Sequence, residues 1–249
     1  MATLIELHDL ARSYGGRPAV RGVTLSIAGG EIFGLLGPNG AGKSTTLKML
    51  ATLLLPSAGE GRVAGYDLVT AADSVRRHIG YVPEGAELYD VLTGEEFLDL
   101  VRDLHRLPAA TARARRAPLL RAFDLGADVG RTIGEYSKGM KQKLLLIAAL
   151  QHDPEVLLLD EPMDGLDVNA QEALKQLLRE RAAAGGAVVY SSHILEVVER
   201  LCTRVAILAH GSVAALGSPR ELLEQSADGS LSELFLRITS GGGGRAGEA

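Results

Sequence analysis

The amino-acid sequence predicts an α/β fold in which a parallel sheet is interrupted by an all-helical insertion. Three observations carry that expectation. An apolar run, Ile32-Phe33-Gly34-Leu35-Leu36, leads directly into a glycine-rich loop and then into a helical stretch. A second run, Val156-Leu157-Leu158-Leu159, is apolar at every position, as in strands buried on both faces of a parallel sheet. Between the two, residues 84 to about 150 carry helical spacing and capping signals.

In chain order, Leu4 to Leu10 and Val23 to Ile27 read as strands, with Ser13-Tyr14-Gly15-Gly16 in the turn region between them. The strand 32–36 and its loop come next, and the helix after them continues through Thr46-Leu47-Lys48-Met49-Leu50. Pro56 to Gly61 reads as a turn cluster, Arg62 to Gly65 as a short strand and Ala71 to Arg77 as a short helix. Ile79 to Val82 is a strand stopped by Pro83. Thr93-Gly94-Glu95-Glu96 is a capping box, and Phe97, Leu98, Val101 and Leu104 follow on one helical face. The arginines of residues 109–117 read as a solvated helix face, and Leu119 to Phe123 as helix. Ser137 opens a long helix through Leu150. Beyond the strand at 156, a helix from about Asn169 to Ala184 ends at Gly185-Gly186. Ala187 to Ser191 is a strand and Leu195 to Cys202 a helix. Val205 to Leu208 and Val213 to Leu216 pair around His210-Gly211, Ser218-Pro219-Arg220-Glu221 is a second capping box, and Leu231 to Ile238 is an amphipathic helix. The tail, 241–249, reads as flexible.

Composition narrows the function classes. The chain has 249 residues with 46% hydrophobic content, enough for a large core. A net charge of −5 argues against a surface that coats nucleic acid. The single cysteine, Cys202, forms no internal disulfide and reads as a small buried apolar residue. The start has no secretory pattern, and the longest apolar run, Leu144 to Leu150, is far short of the ~20 residues of a membrane span. A role at a membrane would therefore run through a partner.

The loop Gly37-Pro38-Asn39-Gly40-Ala41-Gly42-Lys43-Ser44-Thr45 has the pattern G-x-x-x-x-G-K-[ST] between strand and helix. Glycines let backbone wrap a phosphate without an intervening Cβ, and the free N–H groups and helix dipole face the anion. Lys43 is placed to reach the β- and γ-phosphates and Ser44 to ligate Mg²⁺. Asp160, directly after the apolar strand, can hold the same ion, and Glu161 beside it can polarise an attacking water. Ser137 and Gly139 at a helix start offer a further anion site, although taken alone Ser137 reads as an ordinary cap.

Together these motifs resemble the nucleotide-binding subunit of ATP-binding cassette (ABC) transporters over nearly the whole chain. Leu35 to Thr45 resembles the Walker A motif, Tyr136-Ser137-Lys138-Gly139-Met140-Lys141-Gln142 the family signature, and Val156 to Glu161 Walker B with the catalytic glutamate. Gly165-Leu166-Asp167 resembles the D-loop, His193 falls at the switch histidine, and Tyr14 falls where an aromatic stacks on adenine. Glu84 stands where a glutamine usually follows Val82-Pro83, and Lys138-Gly139 where paired glycines are usual. With Tyr136, these variants resemble the drug- and polymer-exporting, ABC-2-like branch. Met163 and Asp164 stand where Thr and Ser are commoner.

The resemblance implies a P-loop NTPase (RecA-like) core with an antiparallel β subdomain and an inserted α-helical subdomain. It implies one cassette over 1–240, with core at 1–83 and 156–240 and helical part at 84–155. It implies an ATPase with ATP and Mg²⁺ as cofactors, bound by Tyr14, by Gly37 through Thr46, and by Ser137, Gly139 and Asp167. Glu161, His193 and Lys43 are the implied catalytic residues, and Ser44, Glu84 and Asp160 the implied metal ligands. Its partners would be a second ATPase subunit, giving a homodimer with ATP between the chains, and a membrane permease at the inner face of the cell membrane. An ABC-type ATPase unconnected to transport is the alternative.

Overall fold

The computed structural model describes residues 2–85, 87–224, 226 and 230–240. The 241–249 tail lies outside the described residues.

Two sheets form the framework. The larger contains β3 (Ile32–Leu36), β6 (Ile79–Val82), β7 (Val156–Asp160), β8 (Ala187–Ser192), β9 (Arg204–Ala209) and β10 (Ser212–Gly217), in the order β10-β9-β3-β8-β7-β6. Its pairings are parallel except for the antiparallel β9–β10 edge hairpin. β3, β7 and β8 are buried at every residue, as their apolar runs require, and the burial extends to the polar Asp160, Ser191 and Ser192 at the ends of β7 and β8. Side chains alternate between two cores. Leu36, Leu157, Leu159 and Tyr190 face one; Phe33, Leu35, Leu158 and Val189 face the other.

The smaller sheet is antiparallel, in the order β2-β1-β4-β5, from β1 (Thr3–Tyr14), β2 (Arg17–Ala28), β4 (Ala58–Val63) and β5 (Tyr66–Asp67). β1 and β2 run longer than their apolar cores because Gly15-Gly16 closes them in a two-residue turn with φ of 53° and 79°. The expected turn cluster at Pro56–Gly61 is shorter than its composition implied, since β4 already begins at Ala58. The reason lies across the sheet. A Cβ at Gly59 would meet the backbone oxygen of Asp9 at 2.1 Å, so glycine there serves close strand approach.

The helices are α1 (Lys43–Leu50), α2 (Ala72–His78), α3 (Gly94–Leu104), α4 (Ala109–Ala122), α5 (Lys138–Leu150), α6 (Val168–Ala183), α7 (Leu195–Leu201), α8 (Pro219–Glu224) and α9 (Leu231–Ser240). α3, α4 and α5 fill the chain between β6 and β7, together with a short 3-10 turn at Ile133–Glu135. Both capping boxes form. Thr93 Oγ1 accepts from Glu96 N at 3.1 Å while Glu96 Oε2 accepts from Thr93 N at 2.8 Å. Ser218 and Glu221 reciprocate in the same way. Cys202 is buried, and burial pushes its thiol up to about 12. No helix among the described residues is long and apolar enough to cross a membrane.

The arginine-rich stretch differs from its expected solvated face at one residue. α4 is a single helix through Pro118, and Arg116 on it is buried. Its guanidinium donates to Gln151 Oε1 at 2.7 Å, Asp99 Oδ1 at 2.6 Å and Leu98 O at 2.7 Å, tying α4 to α3 and to the end of α5. Replacing Arg116 with Met leaves the buried Gln151 oxygen without its donor. The expected cost is about 2–3 kcal/mol of unfolding free energy, read from urea titrations. Gln151→Met added to Arg116→Met should cost less than the sum of the two single changes, because the residues share one network.

Candidate active site

The carboxyl ends of three parallel strands build the site. Leu35 of β3 is level with Ser191 of β8, and Ser191 is level with Asp160 of β7. Loops leaving these ends therefore meet at one edge of the sheet, where ligands of open α/β sheets bind.

The loop after β3 wraps tightly before α1. Gly42 has φ of 104°, and a Cβ on it would lie 2.7 Å from Ala19 O, so only glycine lets the loop pass β2. Lys43 is buried and folds back over its own loop, donating from Nζ to Gly37 O at 2.7 Å and Pro38 O at 3.4 Å. An ammonium held by neutral carbonyls remains an uncompensated cation, which suits it to an anion. The Thr46 hydroxyl donates to Gly42 O at 2.9 Å and is buried within the first helical turn.

Across the cleft, Asp160 is buried and accepts from Ser191 Oγ at 2.6 Å. The same Ser191 oxygen accepts from Glu161 N at 3.1 Å, so one hydroxyl fixes both acidic residues. Glu161 has φ of 47°, an uncommon conformation for a residue with a Cβ, and one found at functional turns. Its Oε1 lies 3.0 Å from His193 Nδ1, an ion pair when the imidazole is protonated. The Glu161 side chain is 12% exposed and that of His193 66%, so the glutamate is largely buried and the histidine mostly open to solvent.

These groups enclose one cavity of about 730 Å³, lined by Gly37, Pro38, Asn39, Gly40, Ala41, Gly42, Lys43, Ser44, Thr45, Glu84, Asp160, Glu161 and His193. The volume suits a nucleotide polyphosphate. Ser44, Asp160 and Glu84 offer the hard oxygen donors that Mg²⁺ takes. Among the described residues no cluster of three or more His, Cys, Asp or Glu side chains could hold a metal alone. A cation here would complete its shell from phosphate oxygens and water. Phe235 of α9 also lines the cavity, and the sequence reading did not single it out. Its only signal was the apolar stripe of that last helix.

Five expected binding residues, Thr46 among them, do not line this cavity. Tyr14 is exposed beside the Gly15-Gly16 turn, with the Arg12 guanidinium 5.0 Å from its ring centroid. Ser137 caps α5 through Met140 N at 3.2 Å, and Gly139 packs on Gly165. Asp167 caps α6 through Ala170 N at 2.9 Å and pairs with Lys143 at 2.7 Å. The Lys143 ammonium, then the Ala170 N–H, hold its carboxyl below the usual range.

A family model described as ABC transporter matches residues 20–164. The chain belongs to the ABC transporter family. It is 42% identical to an uncharacterized ABC transporter ATP-binding protein of Nostoc sp., over 82% of this chain and 61% of that protein. It is 39% identical to the daunorubicin/doxorubicin resistance ATP-binding protein of Streptomyces peucetius, over 88% of this chain and 66% of that protein. A Nod factor export ATP-binding protein of Burkholderia orbicola is 38% identical over 93% of this chain and 76% of its own length. The match thus spans under two thirds of the first two relatives. Among solved structures, an ATP-binding subunit of an ABC transporter superposes with a TM-score of 0.89 at 37% identity, covering 95% of this chain and 99% of its own. A dimeric ATP-binding cassette in a post-hydrolysis state, bound to ADP and Pi, superposes at 0.79 with 26% identity, over 87% and 99%. The fold is therefore that of an ABC cassette, a P-loop NTPase core with its antiparallel and helical subdomains.

Removing the shared hydroxyl tests this geometry. In Ser191→Ala the buried Asp160 oxygen loses its donor and the Glu161 amide its acceptor, and unfolding free energy should fall by about 1–3 kcal/mol in denaturant titrations. A stability unchanged from wild type would show that the bridge is not formed in solution.

Proposed function

We propose that this ABC cassette hydrolyses ATP with Mg²⁺ and powers an export transporter through a separate membrane permease. The observation that carries the reading is the single cavity shared by the Gly37–Thr45 loop, Asp160, Glu161 and His193. In this reading the loop amides and Lys43 hold the β- and γ-phosphates. Ser44 and Asp160 hold Mg²⁺, with Glu84 alongside directly or through water. When bound, the ion would supply charge neutralisation on the phosphates. Glu161 orients the attacking water, and its confinement between Ser191 and His193 limits where that water sits. His193, released from Glu161, faces the γ-phosphate. Tyr14 stacks on adenine.

Ser137, Gly139 and Asp167 act in a second copy of the chain. ATP is then sandwiched between Lys43 of one chain and Ser137 and Gly139 of its partner. This reading explains why residues so characteristic of the family stand outside the cavity of one chain, and a dimeric cassette is among the structures most similar to this one. The unit so defined is 1–240, with its helical part at 84–155. The permease docks on that helical part around Glu84 to Leu104, where a separate groove of about 650 Å³ is lined by Leu53, Phe97, Val101 and Leu104. Membrane contact is through the permease alone, at the inner face of the cell membrane, and nucleic acid plays no part. The exporter assignment draws on the drug-resistance and Nod factor export relatives.

Lys43→Ala should abolish ATP turnover and weaken nucleotide binding, because it removes the cation that meets the phosphates. Glu161→Gln should keep ATP and Mg²⁺ binding and lose about 10²–10⁴ in rate. Steady-state phosphate release with equilibrium binding of a fluorescent ATP analogue separates the two. Near-normal turnover in Lys43→Ala overturns the assignment. Glu84→Gln should retain turnover but need more Mg²⁺ for half-maximal rate, since a neutral oxygen replaces a charged one. Superimposable Mg²⁺ titrations of wild type and variant would make Glu84 a surface residue.

A further inference from the structure

Lys138 and Asp164 both stand where the family pattern favours small residues, and the structure makes them partners. Lys138 Nζ lies 2.6 Å from Asp164 Oδ2. The pair is one of several ties between the first turns of α5 and the segment that follows Glu161. Gln142 Nε2 donates to Pro162 O at 3.0 Å from a buried position, and Lys143 pairs with Asp167. Gly139 presses against the same segment, since a Cβ there would lie 2.6 Å from Gly165 O. Met163 and Leu166 are buried in the core that also holds Leu144 and Ile147 of α5. On its amino side Glu161 is fixed by Ser191 of β8. On its carboxyl side, contact with the start of α5 anchors the chain that leaves it.

We propose that Lys138 and Asp164 are positioning residues for Glu161: their ion pair locks the start of α5 to the 161–167 segment as one rigid unit. The inference rests on the hydrolytic reading of the site only for its activity readout. Both side chains are exposed, at 70% and 59%, so the pair adds little to global stability and its loss is felt locally. Glu161 sits in left-handed backbone at the head of this segment, where slack after it changes the carboxylate position most.

The test compares Lys138→Ala, Asp164→Ala and the exchanged pair Lys138→Asp with Asp164→Lys. The exchange carries no helix penalty, because an acidic residue in the first turn of α5 suits the helix dipole. Hydrogen exchange of the 163–167 amides is followed in the free chain, and kcat and KM for ATP are measured beside it. Each single change should raise local exchange by about two- to fivefold, the range an exposed pair commands, with an unchanged melting temperature. It should also lower kcat by about two- to fivefold while leaving KM within about twofold, because Lys43 and its loop are untouched. The exchanged pair should restore both values. Exchange unaltered in the single variants, or an exchanged pair as impaired as they are, overturns the proposal. A wild-type chain that does not turn over ATP overturns the hydrolytic reading instead, and the exchange comparison still decides the rigid unit.

Discussion

β3, β8 and β7 end at the same level because Leu35 pairs with Ser191 and Ser191 with Asp160. That register is the constraint on which the site depends. A slip by one residue would turn every side chain of the moving strand to the opposite core. Such a slip would unseat the side chains packed in both cores and carry Ser191 away from Asp160. With the strand ends level, the Ser191 hydroxyl reaches both Asp160 and the Glu161 amide, and the loop before α1 faces the two acids across one cavity. A buried carboxylate at a strand end is expensive unless it is bonded. Here Ser191 supplies one hydrogen bond, and the remaining lone pairs face the open cavity.

Much of this was legible in the sequence where the signal is local. The loop 37–45, the apolar runs at 32–36 and 156–159 and both capping boxes depend on residues a few positions apart, and each formed as read. What the sequence hid depends on distant partners. Arg116 resembles its solvated neighbours in the same helix until Gln151, 35 residues on, accepts from it in the interior. Gly59 carries a turn residue's signature, yet it lies in a strand because Asp9 crosses it. Phe235 has the periodicity of any amphipathic helix, and nothing near it in the chain marks the cavity it lines.

The same distinction applies to the departures from the family pattern. Lys138 and Asp164 each look like an isolated substitution when read along the chain, but in space they are one ion pair. Met163, beside Asp164, is buried in the helical core, which favours an apolar side chain there over Thr. The residues following Glu161 are thereby packed on α5, and the residues preceding it belong to the sheet. Glu161 stands at the junction of the two parts of the cassette, with the exposed His193 against its carboxylate.

The central claim is that one chain carries half of each nucleotide site, with Lys43, Asp160 and Glu161 on one side and Ser137 and Gly139 on a face that meets a second copy. Light scattering on Glu161→Gln, with and without Mg²⁺ and ATP, tests it most directly. The variant retains every binding group but should not hydrolyse its way out of the closed state. The account predicts a particle of 26.2 kDa without nucleotide and of twice that mass with ATP and Mg²⁺. A particle that stays at 26.2 kDa while binding ATP would contradict it.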